Sequence, residues 1–130
     1  IAPELVTADL GFLDGGALHV VGRADDVIIS GGENVHPQWI ESVLAATPGI
    51  HAVCAFGIAD ARWGQIVGVA VAADASFDLT AAAARWHAAL PPYARPRRLA
   101  IATALPATPN GKLDRRAAAR IPNVPLRYLR

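Results

Sequence analysis

Eight consecutive residues, Ile66-Val67-Gly68-Val69-Ala70-Val71-Ala72-Ala73, carry no polar side chain. Alternate residues of a strand point to opposite faces, so a strand can be apolar on both only where both faces are covered. The run therefore predicts a central strand. Ile50 to Ile58 reads as another strand, and between the two lies the polar loop Ala59-Asp60-Ala61-Arg62-Trp63-Gly64-Gln65.

Helical patterns interleave with these strands. Pro37 suits a first helical position, Glu41 lies near the positive end of the dipole, and Ile40, Val43, Leu44 and Thr47 share a face before Pro48-Gly49 ends the helix. Asp78 can cap a second helix in which Leu79, Ala83, Trp86 and Leu90 follow helical spacing up to Pro91-Pro92. A third strand runs near Arg98 to Ala104, and Leu113 to Arg120 reads as a short terminal helix after the turn Pro106 to Gly111. The first 22 residues read as a hairpin turning at Asp14-Gly15-Gly16. A polar junction, Gly22 to Asp26, separates it from the strand Val27-Ile28-Ile29, and the Ser30-Gly31-Gly32 turn feeds the first helix. This order predicts an α+β domain, a small mixed sheet of three to four strands with flanking helices. Ile121 to Arg130 is a tail with no assigned element.

At 130 residues the chain fits one domain, and 53% hydrophobic against 18% charged residues excludes intrinsic disorder. No apolar run reaches the roughly 18 residues that span a bilayer, and the start has no signal-peptide pattern. Cys54 is the single cysteine, which points to a reducing, cytoplasmic setting. The chain has no methionine and begins Ile1-Ala2-Pro3-Glu4, so it reads as a piece of a longer protein. Residues 1 to 90 hold 3 basic and 10 acidic groups; residues 91 to 130 hold 9 basic groups and one acid, Asp114. Such a split fits either a head that pairs with its own tail or a basic surface for a polyanion. Of the 12 cations only Lys112 is lysine, in Asn110-Gly111-Lys112.

Several chemistries are excluded. Gly31-Gly32 is followed by neither a Walker lysine nor a dinucleotide fingerprint. His19, His36, His51 and His87 show no paired metal spacing, so no metal site is assigned. No serine stands in a nucleophile elbow, and Cys54 in an apolar strand reads as an inert core residue. Trp39 and Trp86 read as packing residues in helices. Other residues admit two readings. Gly31-Gly32 is either a plain turn or a place where a thin ligand approaches the backbone. Trp63 either lids the core or offers a flat wall to a ligand. Arg95, Arg97 and Arg98 form either a solvated basic face or a phosphate grip, and Lys112 is either an exposed turn lysine or a charge aimed at an oxyanion.

Read together and in order, the segments Thr7-Ala8-Asp9-Leu10-Gly11, Gly22-Arg23-Ala24-Asp25-Asp26, Ser30-Gly31-Gly32-Glu33-Asn34-Val35, Pro37 with Ile40-Glu41, Asp60 with Trp63-Gly64-Gln65, and Leu105-Pro106 with Gly111-Lys112 resemble the motifs of adenylate-forming enzymes. Over about residues 5 to 120 the chain resembles the C-terminal domain of an acyl- or aryl-CoA synthetase. Ile28 to Pro37 and the Arg62-Trp63-Gly64-Gln65 loop look like benzoate-type ligases. The resemblance implies that a carboxylic acid and ATP, with Mg²⁺, give an acyl-adenylate from which the CoA thiol displaces AMP, the small domain rotating between the steps. It implies the end of a large N-terminal domain at residues 1–22, a hinge at 23–26, a lid domain at 27–120 and a tail at 121–130.

The same resemblance assigns roles. Asp9 would bind the ribose hydroxyls, Arg23 ribose or phosphate, and Asp25 would be the hinge. Lys112 would be the adenylation lysine. Gly31, Gly32 and Trp63 would line the pantetheine channel, while Arg95 and Arg97 would meet the CoA nucleotide phosphates. The partners implied are the acid, ATP, CoA and the N-terminal domain, with no nucleic acid and no membrane span. Thr7-Ala8-Asp9 carries alanine where the family usually has glycine. The family's phosphate-binding loop, adenine site and acyl pocket lie upstream of these motifs, so this stretch by itself is expected to be inactive. Three rivals remain at this stage: an adenylating enzyme that loads a carrier-protein thiol, a non-enzymatic nucleic-acid-binding module built on the basic segment, and a stand-alone regulatory remnant that docks to a partner.

Overall fold

The computed structural model describes residues 9–14, 17–23 and 26–127. Strands β1 (Asp9–Asp14) and β2 (Ala17–Arg23) form an antiparallel ribbon, the expected hairpin, in which Asp9 is the register partner of Arg23. Its Gly15-Gly16 turn and the expected hinge residue Asp25 lie outside the described residues.

The main sheet is built around the apolar run. Strand β6 (Gly64–Ala73) pairs antiparallel with β5 (Ile50–Asp60), from Ile50↔Ala73 to Asp60↔Gly64, and parallel with β7 (Pro96–Ala102), from Val67↔Pro96 to Ala72↔Ala102. The run is central, as its two apolar faces require. Val67, Val69 and Val71 join Val53 and Ala55 of β5 in one buried cluster, which includes Ile40, Leu44, Trp86 and Leu90. Ala70 joins Cys54, Phe56, Ala100 and Ala118 in another. Gly68 is the residue opposite Phe56, and a Cβ there would come within 2.6 Å of the Phe56 ring, so the glycine makes room for an aromatic lid over the strand.

The sheet has six strands where three to four were expected. β3 (Ile28–Ser30) is the strand expected at Val27-Ile28-Ile29, displaced by one residue. The additional ones are β4 (Glu33–Val35), with three residues, and β8 (Val124–Pro125), with two, too few for a period of two to stand out. The Gly31-Gly32 turn does not feed a helix directly. It closes the β3–β4 hairpin with φ of +60° and +83°, the two successive positive values that a two-residue turn between twisted strands requires.

Helices α1 (Pro37–Ala45) and α2 (Leu79–Ala89) cover one face of the sheet, and α3 (Arg115–Ala119) packs on the other. Pro37 opens α1, and Asp78 caps α2 by accepting from the Ala81 N–H, both as expected. Helix α3 is shorter than the predicted Leu113 to Arg120 because Asp114 caps it, accepting from the Ala117 N–H. Trp86 is buried, and its indole N–H donates to Thr47 Oγ1 at 2.9 Å. Trp39 does not pack as expected: it is 38% exposed. Glu41 does not serve the helix dipole but reaches Ala55 and Arg115 instead. In the tail, β8 pairs with β7, and Arg98 binds Asn123 through both its side-chain oxygen and its carbonyl. Among the described residues no helix is long and apolar enough to cross a membrane.

Candidate functional site

Asp60 ends β5, and its carboxylate accepts the main-chain hydrogens of Arg62 (3.0 Å) and Trp63 (2.8 Å), a local turn that swings the chain into β6. The Trp63 carbonyl accepts from Gly31 N–H at 2.9 Å, and the Gln65 side-chain oxygen accepts from Ile29 N–H at 2.9 Å. These bonds stitch the β5–β6 turn to the β3–β4 hairpin. The motif Asp60, Trp63-Gly64-Gln65 is thus a device for holding one indole against one glycine turn. A Cβ on Gly31 would lie 2.9 Å from the Trp63 ring, so any other residue there would displace the indole. Trp63 stays 43% exposed, with the Arg62 guanidinium 5.3 Å from its ring centroid.

Beside this pair opens a cleft of about 300 Å³. Its apolar walls are Trp63, Ile66, Pro92 and Tyr93; Ser30 and Gly31 also line it, and its charged groups are Glu33 and Arg97. Of the five residues expected to meet CoA, three converge here: Gly31, Trp63 and Arg97. Gly32 is exposed in the adjoining turn but does not line the cleft. Arg95 is turned elsewhere, donating to the carbonyls of Leu90 and His87, both at 2.9 Å, where it closes the C-terminus of α2. Arg97 makes a single such bond, to the Pro92 carbonyl at 3.0 Å. Tyr93, Pro92 and Ile66 carried no chemical signal in the sequence. Glu33 stood in a quoted motif without a role.

Lys112 does not line the cleft. It sits on its own turn, where the Thr108 N–H donates to the Lys112 carbonyl, Gly111 N–H to the Thr108 carbonyl and Asp114 N–H to the Pro106 carbonyl. The ammonium is exposed and has no ion-pair partner among the described residues. At the foot of this turn Arg115 is held by Glu41. Burial works against the Arg115 charge, but the hydrogen bond and attraction from Glu41 outweigh it and keep the guanidinium more firmly protonated than usual. Cys54 lies 3.7 Å from the same guanidinium. Burial nevertheless pushes its thiol up to about 11, so it is no nucleophile at neutral pH. Among the described residues no three His, Cys, Asp or Glu side chains converge on a cation site.

A family model described as the AMP-binding enzyme C-terminal domain matches residues 39–112, more than half of the chain. The chain belongs to that family. Among its relatives, the AMP-binding C-terminal domain is 44% identical over 105 residues to the 4-chlorobenzoate–CoA ligase of Pseudomonas sp. (strain CBS-3), covering 78% of this chain and 20% of the ligase. It is 37% identical over 108 residues to the 2-succinylbenzoate–CoA ligase of Enterococcus faecalis, covering 82% and 22%. Among solved structures it resembles o-succinylbenzoate CoA synthetase from Bacillus subtilis in complex with its acyl-adenylate intermediate, with a TM-score of 0.76, 32% identity, and coverage of 85% of this chain and 23% of that one. The chain spans about a fifth of the length of the relatives it matches. The mixed α+β fold is that of the C-terminal domain of adenylate-forming enzymes.

Proposed function

We propose that this domain is the moving part of an ATP-dependent carboxylate:CoA ligase that forms an acyl-adenylate and then a CoA thioester. The observation that carries the reading is the cleft beside Trp63 and Gly31, largely apolar and lined by Arg97. A thin pantetheine arm suits such walls, and a planar group of several donors suits the phosphates behind it. Trp63, Gly31 and the exposed Gly32 would guide the arm, while Arg97 would take the phosphates; Arg95, expected to join it there, is occupied at the end of α2. In this reading Lys112, on a separate turn, stabilises the negative charge that builds between the carboxylate and the α-phosphate. Asp9 and Arg23, register partners in the ribbon, would meet the nucleotide, and Asp25 would be the hinge.

The relatives named as CoA ligases support this substrate class, and the acid is chosen by parts outside this stretch. Mg²⁺ would come bound to ATP, since the described residues offer it no cage of their own. The lone, buried Cys54 supports a reducing, cytoplasmic setting.

Pyrophosphate exchange tests the reading in the full-length protein, with a panel of aryl and alkyl acids, beside Lys112→Ala and this stretch alone. Acid-dependent exchange is expected in the first sample and in neither of the others. Equal exchange in Lys112→Ala would remove the role given to that lysine. Thioester formation with a pantetheinylated carrier protein but not with free CoA would move the assignment to the carrier-loading class.

A further inference from the structure

Arg115 lies three residues past Lys112, and its guanidinium meets three other parts of the fold. Nη1 donates to the Glu41 carboxylate of α1 and, at 2.6 Å, to the Ala55 carbonyl of β5. Nε lies 3.5 Å from the carboxylate of Asp26, two residues before β3. Glu41 in turn accepts the Ala55 N–H at 2.9 Å. The N–H and C=O of Ala55 therefore turn away from β6, toward an edge of β5 that no other strand occupies among the described residues. Glu41 and Arg115 give that residue an acceptor and a donor, as a neighbouring strand would.

The arrangement takes charges out of water. The side chains of Arg115, Asp26 and Glu41 are only 22%, 26% and 18% exposed. A partly buried charge network is a poor source of stability, and its best-attested use is to fix one arrangement among several. What it fixes here is the base of the lysine turn. The Ala107↔Leu113 bridge and the bond from Asp114 N–H to the Pro106 carbonyl close that turn, and Arg115 is the next residue. The turn closes on itself at its neck, and the body of the domain holds it at the clasp immediately after.

We propose that Arg115 is a positioning residue for Lys112: with Glu41 and Asp26 it locks the lysine turn to α1, to β5 and to the segment next to the interdomain junction, so that the turn travels with the domain as one rigid piece. The proposal rests on the reading of Lys112 given above. It makes Arg115 important to the half-reaction that uses Lys112 and nearly irrelevant to the half-reaction that uses the cleft.

The test compares Arg115→Gln, Glu41→Gln, Lys112→Ala and the double variant Lys112→Ala/Arg115→Gln in the full-length protein. Each half-reaction is measured separately, as pyrophosphate exchange and as thioester formation from supplied acyl-adenylate and CoA. Glu41→Gln keeps the volume and an acceptor for Ala55, which guards against a variant that fails to fold. Arg115→Gln is expected to slow exchange about 10²-fold, the scale for an ångström of misplacement. KM for ATP and the rate of thioester formation should each stay within about threefold. Because Arg115 acts through Lys112, the double variant should match whatever residual exchange Lys112→Ala retains at high enzyme concentration. Equal losses in both half-reactions, or a double variant worse by the full factor, would show a merely structural role and overturn the proposal. Normal exchange in Arg115→Gln beside a dead Lys112→Ala would overturn the clasp alone, whereas normal exchange in Lys112→Ala would overturn the reading beneath it.

Discussion

Two arginines separated by one proline show how far residue type falls short of role. Arg95 spends two donors on the carbonyls that end α2, whereas Arg97 has one such bond and lines the cleft. A hydrogen bond from a charged group is worth about 1.5–3 kcal/mol, and because both of these are only part-buried and water can replace them in part, Arg95→Ala should lower stability by about 1.5–3 kcal/mol in total. Arg97→Ala should leave stability within about 0.5 kcal/mol of the parent. In the proposed ligase Arg97→Ala should raise KM for CoA by roughly tenfold, the effect of about 1.4 kcal/mol of lost binding. Thermal unfolding alongside CoA titration separates the two; an unchanged KM in Arg97→Ala would remove that residue from the site. Cys54 makes a pH prediction at the same scale. Its thiol is raised from 9.0 to about 11 in the fold, so above pH 9 the unfolded chain loses this proton while the folded one keeps it. Stability from this group is complete below pH 9 and declines up to pH 11, by on the order of 2 kcal/mol. Urea unfolding of Cys54→Ala beside the parent isolates it, because the slope over that window should flatten only in the variant.

Among the elements, the joint between α1 and α2 depends on one buried polar bond. The Trp86 indole N–H donates to Thr47 Oγ1, with Trp86 1% and Thr47 5% exposed. Thr47→Val keeps the shape and removes the acceptor, leaving a buried donor unpaired at a cost of about 1–3 kcal/mol, while Thr47→Ser should lose far less. Chemical denaturation of the two variants checks the ordering. Thr47 was legible in the sequence only as one position on a helical face, because spacing reports which side a residue takes and not which distant atom it meets. The same limit separates the elements that could be read from those that could not. The apolar run announced β6, and Pro37 and Asp78 announced two helix starts, because those signals are local. Strands β4 and β8 carry no such signal and depend on pairing with other segments, β3 and β7. So does the cleft: Gly31, Trp63 and Arg97 are 32 and 34 residues apart in sequence and meet because the Asp60 turn is bonded to the β3–β4 hairpin and β7 pairs with β6. The family resemblance assigned Gly31 and Trp63 to the pantetheine channel and Arg97 to the CoA phosphates, expectations that spacing does not encode.

At the scale of the whole molecule, the division of charge has two outcomes. Part of the basic tail is spent on the acidic head, since Arg115 reaches back to Glu41 and Asp26. Part remains in solvent, at Arg116, Arg120 and Arg127. More consequential is the separation of the two candidate centres. Trp63 and Gly31 stand where the β5–β6 turn meets the β3–β4 hairpin, while Lys112 stands on the turn between β7 and α3, outside the cleft. If each serves one step at a single active centre, as proposed, the domain must present them in succession, which would give the proposed movement of the domain a geometric reason. The two steps should therefore be separable by mutation. Trp63→Ala removes a wall of the cleft without touching the lysine turn, so thioester formation from supplied acyl-adenylate should fall by roughly 10²-fold through lost positioning. Pyrophosphate exchange in the same variant should stay near the parent rate. Lys112→Ala should show the reverse pattern. Measuring both half-reactions in both full-length variants gives four rates, and a Trp63→Ala variant that loses exchange as severely as thioester formation would mean that the two centres do not work in turn.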